Sequence, residues 1–130
     1  RGIRMKNLIF LTAVIATFST SVSGALAPSP RPAPKAYVIG EIIVKDPKAY
    51  EDYKAAIAST AARFGGRYLV RGGKVETIEG DSPRGRVVII EFDSFEKVMA
   101  FEHAPETLAA SAIRHRAAQS RLFVVEGAPQ

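Results

Sequence analysis

Val87-Val88-Ile89-Ile90-Glu91-Phe92 is a six-residue run with a single polar member, Glu91. β-branched and aromatic residues suit a pleated, packed surface. A run this apolar reads as a strand covered on both faces. Ala36-Tyr37-Val38-Ile39-Gly40-Glu41-Ile42-Ile43-Val44 has the same character and is also interrupted by one carboxylate, Glu41. Two central strands are therefore expected. Strict alternation places Val88, Ile90 and Phe92 on one face of their strand and Val87, Ile89 and Glu91 on the other.

Between these strands, Asp46-Pro47 predicts a helix start, with Asp as cap and Pro in the first turn. Tyr50, Tyr53, Ile57, Ala61 and Phe64 recur at spacings of three and four and form the helix's apolar stripe. This spacing makes Tyr50 and Tyr53 core residues. Gly65-Gly66 ends the helix. Arg67-Tyr68-Leu69-Val70-Arg71 predicts a second strand, with Arg67 and Arg71 on one side of it. Gly72-Gly73 interrupts the strand. Lys74-Val75-Glu76-Thr77-Ile78-Glu79 alternates as a half-exposed extended edge, and Gly80-Asp81-Ser82-Pro83-Arg84-Gly85 is a loop. After Phe92, Asp93-Ser94 caps a helix carrying Phe95, Val98, Met99 and Phe101. Pro105 breaks and restarts it, and its apolar stripe continues towards Gln119. Leu122-Phe123-Val124-Val125 is the last strand.

The order β-α-β-β-α-β predicts an α+β ferredoxin-like sandwich, with both helices on one face of an antiparallel sheet. Yet the two central strands are apolar on both faces. An uncovered apolar sheet face calls for a partner, and two copies packed sheet to sheet as a homodimeric α/β barrel would supply it.

The chain before this domain reads as an address. No charge occurs from Asn7 to Pro30, and Leu8 to Phe18 is an apolar core of about 11 residues behind Arg4-Met5-Lys6. Small residues follow, up to Ala25-Leu26-Ala27. This pattern predicts a secretory signal peptide over 1–27, with its natural start at Met5 and cleavage after Ala25 or Ala27. The core is shorter than the roughly 20 residues that span a bilayer, so no membrane span is expected after cleavage. Localisation is expected to be secreted or periplasmic. Residues 28–35 carry four prolines and read as an extended linker. The domain is expected over 36–127, with 128–130 as a tail.

Composition narrows the function classes. The 130 residues contain no Cys, which removes thiol catalysis, disulfides and Cys-ligated zinc. The net charge of +5 owes much to Arg1, Arg4 and Lys6; beyond residue 27 there remain 15 basic and 13 acidic side chains. They alternate in sign instead of forming a basic stripe, so no nucleic-acid partner is expected. No P-loop, nucleophile elbow, HExxH or dinucleotide fingerprint is present. No cofactor and no metal are expected.

Several blocks together resemble the domain of unknown function 1330 family. They are Asp46-Pro47-x-x-Tyr50-x-x-Tyr53, Gly65-Gly66-Arg67-Tyr68-Leu69-Val70-Arg71-Gly72-Gly73, Val88-Ile89-Ile90-Glu91-Phe92-x-Ser94-Phe95, Pro105-Glu106, Arg114 and Val124-Val125-Glu126-Gly127. The resemblance runs from about Tyr37 to Gly127 and implies a dimeric α/β barrel. The family has no assigned reaction. Related dimeric barrels include small monooxygenases, lactone isomerases and haem-handling enzymes, an analogy of fold alone. This chain departs from the family at Glu102, where an aromatic is usual beside Phe101. It departs again at Ala104-Pro105-Glu106-Thr107, which lacks the family's Ser and Tyr.

Candidate site residues follow from polarity in apolar surroundings. Glu91 in a barrel cavity would have a raised pKa and could act as acid or base; alternatively it pairs with an arginine such as Arg71. Glu41 could share that cavity with Glu91 or form one polar tip at the rim. His103, before the helix break, could shuttle protons near neutral pH or lie exposed, while His115 between Arg114 and Arg116 is expected in solvent. Arg67 and Arg71 could grip a carboxylate bidentately or pair with Glu91 or Glu76. Tyr68 joins Glu41, Arg67 and Arg71 as a ligand-binding candidate. The expected function is an exported homodimer that binds a small molecule in its barrel cavity. The alternatives are a cofactor-independent isomerase or monooxygenase using Glu91 and His103, and a structural or interaction domain.

Overall fold

A computed structural model describes residues 23–130 and, before them, positions 2, 13–16, 19 and 21. Most of the expected signal segment lies outside the described residues. The elements are β1 (Ala36–Val44), α1 (Pro47–Arg63), β2 (Arg67–Arg71), β3 (Arg86–Phe92), α2 (Phe95–His103), α3 (Pro105–Ala117) and β4 (Ala118–Glu126). The strands form one antiparallel sheet in the order β2-β3-β1-β4. This is the expected ferredoxin-like α+β arrangement, with the two apolar runs at its centre.

Local chemistry sets the helix ends. The Asp46 carboxylate accepts from the Ala49 N–H at 3.1 Å, and Pro47 opens α1. Ser94 caps α2 by accepting from Lys97 N–H at 3.2 Å. Asp93 does not cap; it turns to Lys35 and Arg67. Past Arg63, Gly65 takes φ +78° and Gly66 N–H donates to the Ala61 carbonyl at 2.8 Å. Gly66 has no room for a side chain, because a Cβ there would stand 2.8 Å from the Phe92 ring.

The core lies between the sheet and the helices. Val38, Ile42, Ile90 and Phe92 from the sheet meet Tyr50, Tyr53, Ile57, Ala61, Val98 and Phe101 from the helices. Phe92 and Phe101 pack with ring centroids 5.1 Å apart. Each large side chain buried here contributes about 1.5–3 kcal/mol. As expected, Val88, Ile90 and Phe92 face the helices, and Val87 and Ile89 face away.

Two local expectations fail. Residues 74–79 form no strand. Gly72 adopts φ +76° and turns the chain out of the sheet, leaving Val75 and Ile78 exposed on a long loop. The last strand is also longer than expected. α3 ends at Ala117 and β4 begins at once, because its nine residues pair with all of β1 from Val44↔Ala118 to Ala36↔Glu126.

Candidate functional site

The sequence-predicted residues divide between the two faces of the sheet. The face turned away from the helices carries Ile39, Val87, Ile89, Phe123 and Val125 at its centre, with Ile39 directly opposite both Ile89 and Phe123. Phe123 and Val125 are exposed, and the other three are half-buried. Glu91 and Glu41 belong to this face but stand at opposite ends of it. Glu91 pairs in register with Tyr37, whereas Glu41 lies four residues further along β1, about 13 Å away at strand rise. The two carboxylates of one protomer therefore share no cavity.

Each is neutralised separately. Arg67 donates from Nη2 to Glu91 Oε1 at 2.6 Å and from Nε at 3.1 Å. Its Nη2 also reaches Asp93 at 3.2 Å, and Lys35 Nζ meets the same Asp93 oxygen at 2.6 Å. Glu41 lies 3.5 Å from Arg121. Within one protomer the Glu91 carboxyl is not raised as expected: the hydrogen bond from Arg67 outweighs desolvation and holds it below its usual range. Hydrogen bonds from Lys35 and Arg67 lower Asp93 in the same way.

Arg67 and Arg71 do not share a side. A β-bulge between Tyr68 and Val70 inserts Leu69 as an extra residue. Arg67 therefore lies beside Glu91, while Arg71 pairs in register with Val88 on the helix side. The partner that Glu91 finds is Arg67, not Arg71. Simple alternation could not reveal this, because a bulge leaves no mark in residue type.

On the helix side, Arg71 joins a site that the sequence did not outline. A pit of about 30 Å³ is lined by Gly40, Ile42, Tyr50, Tyr53, Ile57, Tyr68, Val88 and Leu122 among others, with Lys54, Arg71 and Arg86 at its rim. The rim opens into a basin of about 410 Å³ formed by Glu51, Lys54, Ala55, Ala58, Arg71 and Arg86. Arg71 stacks over the Tyr68 ring at 4.3 Å and Arg86 over the Tyr50 ring at 5.5 Å. Arg86 Nη2 also donates to the Arg71 carbonyl at 3.1 Å. Burial pushes the Tyr68 phenol up to about 12 and raises Tyr50 as well. Both hydroxyls therefore remain neutral at ordinary pH.

Behind the pit, Arg114 is only 9% exposed. It donates to Ser120 Oγ at 3.1 Å and to the Tyr53 hydroxyl at 3.3 Å. The sequence sets Arg114 on a polar face of α3 and the apolar stripe on Leu108, Ala109, Ala112 and Ile113; the structure instead turns Thr107, Ala110, Arg114 and Ala117 inward and leaves Leu108 exposed. Burial raises the neighbouring Glu102 carboxyl, opposed by Arg114 and His103. His103 itself is exposed at the end of α2. The sheet separates it from Glu91. His115 is exposed as expected. A third cleft, of about 430 Å³, lies where the loop after β2 reaches Glu41 and Arg121, with Asp81 and Arg84 on its other wall. Among the described residues, no helix is long and apolar enough to cross a membrane.

Comparison with known proteins bears on fold and family. A protein of unknown function from Rhodopseudomonas palustris superposes with a TM-score of 0.59 at 19% identity, over 78% of this chain and 88% of its own. SnoaB, a cofactor-independent oxygenase from Streptomyces nogalater, is similar with a TM-score of 0.56 at 19% identity, over 75% of this chain and 96% of its own. A dimeric ferredoxin-like protein of unknown function from Thermobifida fusca gives 0.51 at 15% identity, over 72% and 92%. At these identities the likeness establishes the fold. No curated protein matches the chain. The model of the Domain of unknown function (DUF1330) matches residues 35–128, the whole sheet and all three helices, and the chain belongs to that family.

Proposed function

We propose that this chain is an exported small-molecule-binding protein that works as a homodimer, paired sheet to sheet. The observation that carries the dimer is the open face of the sheet. Ile39, Val87, Ile89, Phe123 and Val125 form one apolar field that no helix among the described residues covers. A contiguous apolar patch of this kind marks an interaction surface. The occupant is a second copy. The charges bordering the field are already neutralised within the protomer, Glu91 by Arg67 and Glu41 by Arg121, so a two-fold related copy meets apolar surface without stranding a charge. The Thermobifida fusca neighbour is described as dimeric, which agrees with this reading. Sedimentation equilibrium tests it. Wild type is expected at twice the mass of the chain and Ile89→Lys at one, with an unchanged circular-dichroism spectrum. A monomeric wild type at micromolar concentration would overturn the proposal.

The ligand site in this reading is the pit on the helix side, not a cavity between the paired sheets. It is the place where an apolar wall meets two arginines that no carboxylate of the described residues pairs. The enzymatic alternative built on Glu91 has less support. Arg67 keeps that carboxylate ionised and occupied, which does not suit a general acid at neutral pH. Export rests on the charge-free apolar segment behind Arg4-Met5-Lys6. Intact mass after expression in an exporting host tests it, with loss of everything up to Ala25 or Ala27 expected.

A further inference from the structure

We propose that the pit beneath Gly40 and the guanidinium rim formed by Arg71 and Arg86 bind a small organic carboxylate, its charge at the rim and a narrow apolar end in the pit. This rests on the small-molecule reading above and narrows it to a chemical class.

Charge comes first. Lys54 is matched by Glu51 at 2.7 Å. Among the described residues, no carboxylate lies within ion-pairing distance of Arg71 or Arg86. The tyrosines beside them stay protonated and supply no counter-charge. Two positive charges thus face a basin whose lining carboxylate, Glu51, is already matched by Lys54. Arginine is suited to this task because its planar fork matches a carboxylate.

The pit itself exists because of Gly40. Val38, Gly40 and Ile42 share the helix-facing side of the central strand, and only the middle one lacks a side chain. Glycine inside a strand weakens it unless something approaches closely. Nor does crowding explain this one: a Cβ at Gly40 would meet Leu122 at 3.6 Å and Ile42 at 3.7 Å, ordinary contacts. The space is therefore held open without a packing need. Its 30 Å³ suits a methyl-sized group. Tyr50, Tyr53, Ile57 and Leu122 line it, so the group that enters is apolar.

The test is an NMR titration of the purified protein with butyrate, the neutral analogue butyramide, and inorganic phosphate. Butyrate is expected to shift the amides of Gly40, Tyr68, Arg71 and Val88, and to bind about tenfold or more tightly than either control, as expected for a hydrogen bond to a charged group. Arg71→Gln should remove most of that preference. Gly40→Ala should leave the fold intact but abolish the gain from propionate to butyrate, about fourfold for one buried methylene. Butyramide binding as tightly as butyrate would overturn the carboxylate assignment while leaving the small-molecule reading in place. Phosphate binding as tightly would overturn the apolar requirement. If butyrate and the neutral probe 1-butanol both leave these amides unmoved, the inference and the small-molecule reading fall together.

Discussion

The two faces of one sheet use the same residue types to different ends. Ile89 and Ile90 are neighbours in β3. Ile90 is buried beneath the helices, whereas Ile89 lies half-buried on the open face. On the helix side, apolar area is removed from water within the chain. On the open side, the described residues leave the same area uncovered, and the proposed second copy would cover it. A sheet side chain's contribution to the stability of one protomer is therefore set by the covering layer and not by its hydrophobicity.

The largest effect expected from breaking this comparison is at Phe92, which is fully buried and packed on Phe101. Phe92→Ala should cost about 3–5 kcal/mol, read as a shifted urea midpoint. Ile90→Ala should cost about 2–5 kcal/mol at any protein concentration. Ile89→Ala, one residue away, should instead weaken self-association, read as a larger dimer dissociation constant in sedimentation equilibrium and a loss of stability that shrinks once the chain is monomeric. Equal and concentration-independent losses at 89 and 90 would show that the open face is not an interface.

The helix side is itself uneven, and two glycines sharpen this point. Gly66→Ala drives a Cβ against the Phe92 ring and to 3.0 Å from the Ala61 carbonyl. It should destabilise by about 1–3 kcal/mol in the same urea experiment. Gly40→Ala meets only ordinary contacts, and should stabilise by about 0.4–1 kcal/mol by restricting the unfolded chain. The core is thus close-packed at its Phe92 end and open at its Gly40 end.

The smallest expected effect concerns pH. Glu91 and Asp93 titrate below their ordinary values of 4.5 and 3.8 when folded. The unfolded chain then takes up protons first as pH falls. The ion-pair contribution is complete above the ordinary values and is lost as pH drops through the lower, folded ones. Arg67→Gln removes the donor that Glu91 and Asp93 share. Its melting temperature should therefore fall less than that of wild type between pH 7 and pH 3. An unchanged difference would show that the exposed pairs contribute nothing measurable.

Read alone, the sequence determined the two central strands, the helix starts at Asp46-Pro47 and Ser94, and the fold class. Each is written in local chemistry: β-branched runs, Asp46-Pro47, Ser94 and the break at Pro105. The two-sided apolar character of β1 and β3 also announced that one face would need a cover. The family could be read because its blocks span nearly the whole domain. Tertiary structure alone decided which side chains meet. The bulge at Leu69 sent Arg71 to the helix side and left Arg67 alone beside Glu91, although alternation put both arginines on one side. Gly72 carried residues 74–79 away from the sheet, although their alternation read as an edge. Four residues of β1 separated Glu41 from Glu91. The pit beneath Gly40 arose from a missing side chain among residues drawn from α1 and all four strands. Such a space depends on long-range packing and register, which no short stretch of sequence encodes.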